Sequence, residues 1–484
     1  MSSILGRLLT FVFMTPYLTR KFARDEFGIQ IDLYTWAAFL MILFTYRIET
    51  ALFKFGHEKK NRFSVFRTAS SAIFGSTAVL LLLLLLFSQS IADFLEYPEH
   101  SGYVVCFAFI LSFDALSAVP FALLRLQGRA KLFAGIKLFN LFIHLGFLLF
   151  FLEFCPYLAS HRILGADKWY HANIGIAYVF IANLIASVFT FALLLPVYIS
   201  ERAKKEGEGF NAQLLKDMLI YVMPLVIVGV AGVINEVLDR FLLKLLLKGD
   251  LATRMTQVGI YGACYKIAIF MNLFTQAFNY AAEPFFFKNE DRKDSKKLYA
   301  AVAYLFTLVG CFVFLGISLF MDLLQYFVGG EYREGLGVVP ILLLANLCLG
   351  LYYNVAIWFK LSDKTKYGAY IALIGAAITI GLNSILIPIL GYMGSAWATL
   401  VCYASMTFMA YRWGQKHYPI PYPVRKIASY LGLALAIYLV YGSLKPSLGT
   451  HSFMSYFASL FLLGIFAVIV WLSEQKIIKR LLKI

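Results

Sequence analysis

Charge is scarce in this sequence: Asp, Glu, Lys and Arg make up 14% of its 484 residues, against about a quarter in soluble domains. Apolar residues reach 61%, so a water-covered fold is excluded and an all-α polytopic membrane protein is expected. The six cysteines (Cys106, Cys155, Cys264, Cys311, Cys348 and Cys402) are scattered and mostly inside apolar runs. That spacing excludes a disulfide framework or a thiolate metal site and leaves packing as their role. No glycine-rich nucleotide fingerprint is present and no ATPase would fit between the apolar runs, so these residues alone do not make a primary pump. Loops are short as well, the longest being about 18 residues around "CPYLASHRILGADKWYHA", which leaves no room for an extramembrane catalytic domain. We therefore expect no enzyme, no catalytic residue, no metal and no cofactor, with a coupling proton or sodium ion as the one exception. The amino terminus lacks the pattern of a cleavable signal, so "ILGRLLTFVFMTPYL" (4–18) is expected as a retained, short first span.

Long apolar runs are plentiful. Given that a bilayer-crossing helix needs about 20 apolar residues, fourteen spans are expected, near 3–19, 31–53, 70–92, 103–124, 132–154, 173–198, 217–245, 258–285, 298–326, 335–358, 367–389, 393–411, 425–443 and 453–472. Cytoplasmic loops collect Lys and Arg. With the amino terminus inside, the loops on that side, from "KFGHEKKNRFSVFR" and "RLQGRAKLFAGIK" to the tail "KIIKRLLK", hold 29 of the 43 basic residues, the opposite side 9 and the spans 5. Both termini are thus expected in the cytoplasm. The net charge of +16 then follows from topology and from anionic lipid head groups, and calls for no nucleic acid.

An internal repeat is visible. "EFGIQIDLYTWAAFL" (26–40) matches "QVGIYGACYKIAIFM" (257–271) at an offset of 231, pairing Gly28 with Gly259, Tyr34 with Tyr265 and Phe39 with Phe270. Arg129 and Lys131 likewise match Lys364 and Lys366, and "GIAYVFIANLIAS" echoes "GSAWATLVCYASM". An offset of six spans keeps both halves in one orientation, related by an axis along the membrane normal. The expected architecture is two pseudo-symmetric six-helix lobes around a central cavity plus a C-terminal helix pair. Its bounds are 1–200, a cytoplasmic linker at 201–216, 217–412, and 413–484 for the last pair and basic tail.

The few charges inside spans carry the functional signal. "INEVLDRFLLKLLL" (234–247) holds Glu236, Asp239, Arg240 and Lys244. Lipid exposure of all four would cost on the order of 10 kcal/mol. At 100° per residue they share one stripe of about 140°, with Glu236 and Arg240 at the favourable i, i+4 spacing. The stripe either lines a water-filled cavity or marks a helix end where Arg240 and Lys244 snorkel and pair with Glu236 or Asp239. Arg47 and Glu49 lie toward the inner end of span two, Lys266 in the outer third of span eight, and Asp114 near the middle of span four. Asp114 is a candidate for protonation coupling or for an interhelical hydrogen bond. Glu283, just before Pro284, reads as a helix-end residue, and His144 as packing. Cations in a greasy bundle suit an anionic amphiphile, whose phosphate they neutralise while its tail stays on apolar surface. A cation-extruding transporter would concentrate carboxylates instead; here cations and carboxylates are mixed, which leans toward a phosphate.

Several stretches carry a resemblance: "DEFGIQIDLYTWAAFLMILFTYRIETALFKF", "VINEVLDRFLLKLLL", "VGIYGACYKIAIFMNLFTQAFNYAAEPFFFK" and "NSILIPILGYMGSAWAT". They resemble the polysaccharide biosynthesis flippases of the multidrug/oligosaccharidyl-lipid/polysaccharide exporter superfamily, over essentially the whole chain. The resemblance implies fourteen helices in two six-helix lobes and a final pair. It also implies alternating-access translocation of a polyprenyl-pyrophosphate-linked oligosaccharide, an O-antigen, capsule or exopolysaccharide repeat unit, across a bacterial cytoplasmic membrane. Membrane lipids and a polysaccharide polymerase with its export machinery are the partners it implies. Glu49 matches the Glu of the family's "TYxxET", Asn235, Glu236, Asp239 and Arg240 match "NExxDR", and Lys266 matches the Lys after "YGxxY". Arg47 stands where the family pattern has Gly; it either adds a phosphate contact or only pairs with Glu49. On this footing Arg47, Arg240 and Lys266 are the expected phosphate or sugar contacts, with Glu49, Asp114, Glu236 and Asp239 orienting them or coupling an ion. A cation-coupled multidrug exporter and a lipid II-type precursor flippase are the alternatives.

Overall fold

Backbone polar groups in a bilayer find no water, so an apolar chain must close its hydrogen bonds within helices or a barrel. A computed structural model describes residues 2–56, 62–203, 209–362, 364–449 and 452–481, and all regular structure among them is helical. His57–Asn61 of the first basic loop, 204–208 of the expected linker and the last tail residues, 482–484, lie outside the described residues.

The long helices in chain order are α1 (Ser2–Lys21), α2 (Arg24–Thr45), α3 (Ile48–Phe55), α4 (Arg62–Leu86), α5 (Ser101–Leu126), α6 (Ala130–Leu149), α7 (Ala177–Ala203) and α8 (Ala212–Leu246). They continue as α9 (Leu251–Lys288), α10 (Ser295–Leu319), α11 (Val338–Val355), the short α12 (Ile357–Leu361), α13 (Lys366–Leu390), α14 (Tyr392–His417), α15 (Val424–Leu448) and α16 (Phe453–Leu481). Among the described residues twelve spans are long and apolar enough to cross a membrane. The expected spans at 3–19 and 393–411 exist as α1 and α14 but are not among the twelve. In α14 the cause is composition: Ser395, Thr399, Tyr403, Ser405 and Thr407 dilute its apolar residues. The expected loop after α6 is itself folded into short turns, Cys155–Ser160 and Ala166–Trp169 among them.

Two compact units divide the chain: Met1–Met14, Lys21–Lys244 and Gly249–Thr256 in the first, and Thr15–Arg20, Leu245–Lys248 and Gln257–Ile484 in the second. In the first, α5 is the hub, packed by α4, α7 and α2–α3, with α6 against α7. The second repeats the pattern: α11 is packed by α10 and α14, with α13 against α14. Three of the helix pairs thus recur in the same order, as a duplication would leave them. The first core gathers Phe44, Ile48, Leu52, Phe66, Leu123 and Tyr198, and one core of the second gathers Trp358, Phe359, Ile371, Cys402 and Tyr403.

The trailing pair belongs to the second unit, where α15 packs on α10 and α16 on α15. Polar clasps hold it at both ends. Lys445 reaches Asp322 at 2.7 Å, and buried Glu474 accepts from Lys426 at 2.8 Å and from Tyr430 at 3.2 Å.

Candidate functional site

The site begins at a backbone break. In "TYRIET" helix α2 stops at Thr45, and Tyr46 (φ 33°) and Arg47 (φ 58°) both adopt left-handed conformations before α3 starts at Ile48. Each such residue without a glycine's freedom costs roughly 1–2 kcal/mol, and strain of this kind concentrates at functional positions. The glycine that the family pattern has at position 47 would suit this backbone. Here an arginine pays the strain, and the Nε–Nη2 edge of its guanidinium abuts Gly229 of α8: a Cβ at Gly229 would stand 2.9 Å from Nη2 and 3.0 Å from Nε. Gly229 is therefore the floor on which Arg47 rests.

Beyond the break, α2–α3, α5, α6 and α7 of the first unit enclose a cavity of about 580 Å³. Arg47 and Glu49 enter it beside the break, Asp114 and Arg125 from α5, Lys137 from α6, and Asn183 and Ser187 from α7. Three cations thus face two carboxylates. Lys137 Nζ sits 4.3 Å from the centre of the Phe121 ring, and the Arg125 guanidinium 5.0 Å from Phe53 and 5.8 Å from Phe133, so aromatic faces hold both cations in place. Asp114 accepts a hydrogen bond from Ser187 and lies within the field of Lys137. Glu49 lies in the fields of Arg47 and Arg125, while its buried Oε2 has no hydrogen-bond partner among the described residues. The polar wall is fixed by Asn183, donating to the Tyr34 hydroxyl at 2.9 Å, and Asn140, donating to Thr190 at 2.8 Å. Such a wall can take a multi-oxygen anion through Arg forks and the Lys point charge, leaving amides and hydroxyls for further polar groups.

Of the residues expected from sequence, Arg47, Glu49 and Asp114 meet at this cavity. The α8 residues lie outside its lining. Arg240 is buried, donating from Nη1 to the Glu236 backbone carbonyl at 2.9 Å, with Asp239 Oδ1 at 3.4 Å. The expected i, i+4 contact is therefore made to the carbonyl, and the Glu236 side chain is exposed. Lys266 belongs to the second unit. Glu283 is not at a helix end: α9 runs through Pro284 to Lys288, and Glu283 pairs with Lys360 at 2.6 Å.

Lys244 neither snorkels nor pairs along its own helix. It is buried and donates to Asp32 Oδ2 at 2.8 Å and to the Leu95 carbonyl at 2.6 Å, 4.1 Å from the centre of the Tyr97 ring. The Tyr97 hydroxyl donates to the same Asp32 oxygen at 2.8 Å. Beside it Arg254 pairs with Glu96 and donates to the Lys244 carbonyl at 3.0 Å, and the guanidinium holds the Glu96 carboxyl below its ordinary value. This is a structural clamp.

Sequence reasoning missed Asp32, although a carboxylate inside an apolar span must find a partner. It also spent Arg125 and Lys137 on loop topology. A signal was there for Lys137: Phe133, Lys137 and Asn140 are spaced by four and three, one face of a helix, and all three line the cavity.

A profile of the family described as polysaccharide biosynthesis protein matches residues 1–290. No curated protein matches the chain in sequence. Among solved structures the chain is similar to the lipid II flippase MurJ in an inward closed conformation, with a TM-score of 0.67 and 14% identity over 98% of each chain. It is also similar to an inward-facing multidrug resistance MATE family transporter of the MOP superfamily, with a TM-score of 0.60 and 12% identity over 85% of this chain and 97% of that one. The MATE transporter VcmN of Vibrio cholerae in its bent form gives a TM-score of 0.55 and 14% identity, covering 86% and 94%. At such identities the likeness establishes the fold.

Proposed function

Because the chain belongs to the polysaccharide biosynthesis protein family, we propose that it is a flippase moving a polyprenyl-pyrophosphate-linked oligosaccharide across a bacterial cytoplasmic membrane by alternating access. The observation that carries this reading is the convergence of Arg47, Arg125 and Lys137 on one cavity, where cations outnumber carboxylates. A pyrophosphate presents oxygens on two phosphorus centres, and three donors, from the α2–α3 break, α5 and α6, can bind them together. In this reading the unpartnered Glu49 oxygen and Asp114 exchange the coupling proton or sodium ion as the anion arrives and leaves. Arg240, oriented by Asp239 and the Glu236 carbonyl, and Lys266 are further contacts on the route. Both termini are taken as cytoplasmic, and a polymerase would receive the product on the outer side.

A second reading keeps the fold and changes the cargo. Two carboxylates in the same cavity are also what a cation-coupled drug exporter would use. The two readings separate in proteoliposomes loaded with a fluorescent polyprenyl-pyrophosphate oligosaccharide, with flipping followed by quenching of the outward label. Flipping that depends on the protein, is competed by unlabelled lipid-linked sugar and is indifferent to cationic dyes supports the flippase. Efflux of the dyes with no movement of the lipid supports the exporter.

A further inference from the structure

The second unit has a cavity of its own, about 280 Å³, at the inner ends of α9 and α11–α12. It lies on the repeat counterparts of α2–α3 and of the inner end of α5, without the α13 and α14 walls that would match α6 and α7 in the first-unit cavity. Lys360 lies 235 residues after Arg125, the offset that also relates Arg129 and Lys131 to Lys364 and Lys366. Glu283 is five residues before the end of α9, and Glu49 six before the end of α3. The positions matching Asp114 and Lys137 at the same offset of 235 hold Leu349 and Ala372. The second cavity thus presents one carboxylate and one cation where the first presents two and three.

What lines this second cavity differs accordingly. Tyr352, Tyr353 and Phe286 supply aromatic faces, the two tyrosine rings lying 5.5 Å apart at 50° to one another. Asn279 supplies an amide, and Glu283 and Lys360 pair at 2.6 Å with side chains about half exposed. A half-exposed pair contributes only about 0–1 kcal/mol to stability, so both ends are free to be recruited by a ligand. Glu283 cancels the charge of Lys360 and opposes a phosphate; a bare hydrocarbon tail would strip water from the pair without replacing it. A neutral polyhydroxylated ring satisfies all the groups at once. Its C–H face lies on tyrosine, and its hydroxyls donate to the Glu283 carboxylate and accept from Lys360 and Asn279. The volume falls just below the roughly 300–1,000 Å³ of drug-sized sites, which suits one sugar ring.

We propose that the second unit carries a sugar-ring site built on Tyr353, Tyr352, Asn279, Glu283 and Lys360, separate from the anion cavity of the first unit. The inference builds on the lipid-linked-sugar reading, but its test needs no translocation. The full-length protein in nanodiscs is mixed with methyl glycosides of a neutral hexose, an N-acetylhexosamine and a hexuronic acid, and saturation transfer from protein to sugar protons is recorded. Transfer to the ring protons of a neutral glycoside is expected, weakened about tenfold in Glu283→Gln through the loss of one charged hydrogen bond. Tyr353→Ala should lose it and Tyr353→Phe retain it, which separates platform loss from misfolding. No transfer to any neutral glycoside, or transfer unchanged in both Tyr353→Ala and Glu283→Gln, overturns the site. If glycosides fail to bind while the lipid-linked substrate is flipped, this inference alone falls. If they bind at these residues and nothing is flipped, the sugar site stands and the transport reading falls.

Discussion

Lys244 and Asp32 are 212 positions apart and meet at 2.8 Å, both shielded from solvent. Removing one partner of such a pair strands the other, at a cost of about 3–5 kcal/mol. Among the described residues Asp32 Oδ1 has no hydrogen-bond partner and Oδ2 would keep only the neutral Tyr97 hydroxyl, so no other cation there offsets the charge. Lys244→Met should therefore lower the thermal midpoint of the detergent-purified protein sharply, and adding Asp32→Asn should recover most of the loss. No loss in the single variant would mean the clamp does not form. Arg47 is expected to behave in the opposite way. Arg47→Gly relieves the left-handed strain, so stability should hold or rise by about 1 kcal/mol. Flipping should nonetheless fall roughly 10- to 100-fold with the loss of a charged contact. Sequence could show that both residues were costly where they stood. It could not show their partners, because periodicity along one helix is silent about a helix two hundred residues away.

At the scale of elements, two glycines separate packing from positioning. A Cβ at Gly28 of α2 would lie 2.0 Å from the Met255 carbonyl oxygen at the start of α9, and backbone does not give way. Gly28→Ala should therefore destabilise by about 1–3 kcal/mol or more, as overpacking does. At Gly229 the obstacle is the far end of Arg47, which can swing aside. Gly229→Ala should leave the melting temperature nearly unchanged and still depress flipping as Arg47→Gly does, although no charge is removed. Equal effects of the two alanines on stability would contradict this division. Helix count and order were largely legible, because apolar runs of about 20 residues are a strong signal. Helix ends were not: α8 and α9 run 35 and 38 residues, past the apolar stretch, since a helix need not stop where hydropathy does. The break at Tyr46–Arg47 was invisible because neither residue is a glycine or a proline.

For the whole molecule, the expected orientation rests on the basic loops, which collect on the cytoplasmic side. In a version freed of native cysteines, Lys168→Cys should react with an impermeant maleimide on intact cells, and Lys293→Cys only after permeabilisation. The reverse pattern would invert the cytoplasmic assignment of both termini. The duplicated plan was legible from matches such as Gly28 with Gly259. The unequal charge of the two cavities was not, because Arg125 and Lys137 look like ordinary loop cations until α5 and α6 bring them beside Arg47 and Glu49. The most direct measurement is equilibrium binding of a polyprenyl pyrophosphate, against the matching polyprenyl alcohol, to the wild type and to Arg47→Gln, Arg125→Gln and Lys137→Gln. If the first-unit cavity receives the pyrophosphate, the wild type prefers the charged lipid and each variant loses roughly tenfold or more of that preference. Equal affinity for the two lipids, or a preference untouched by all three substitutions, would place the cargo elsewhere.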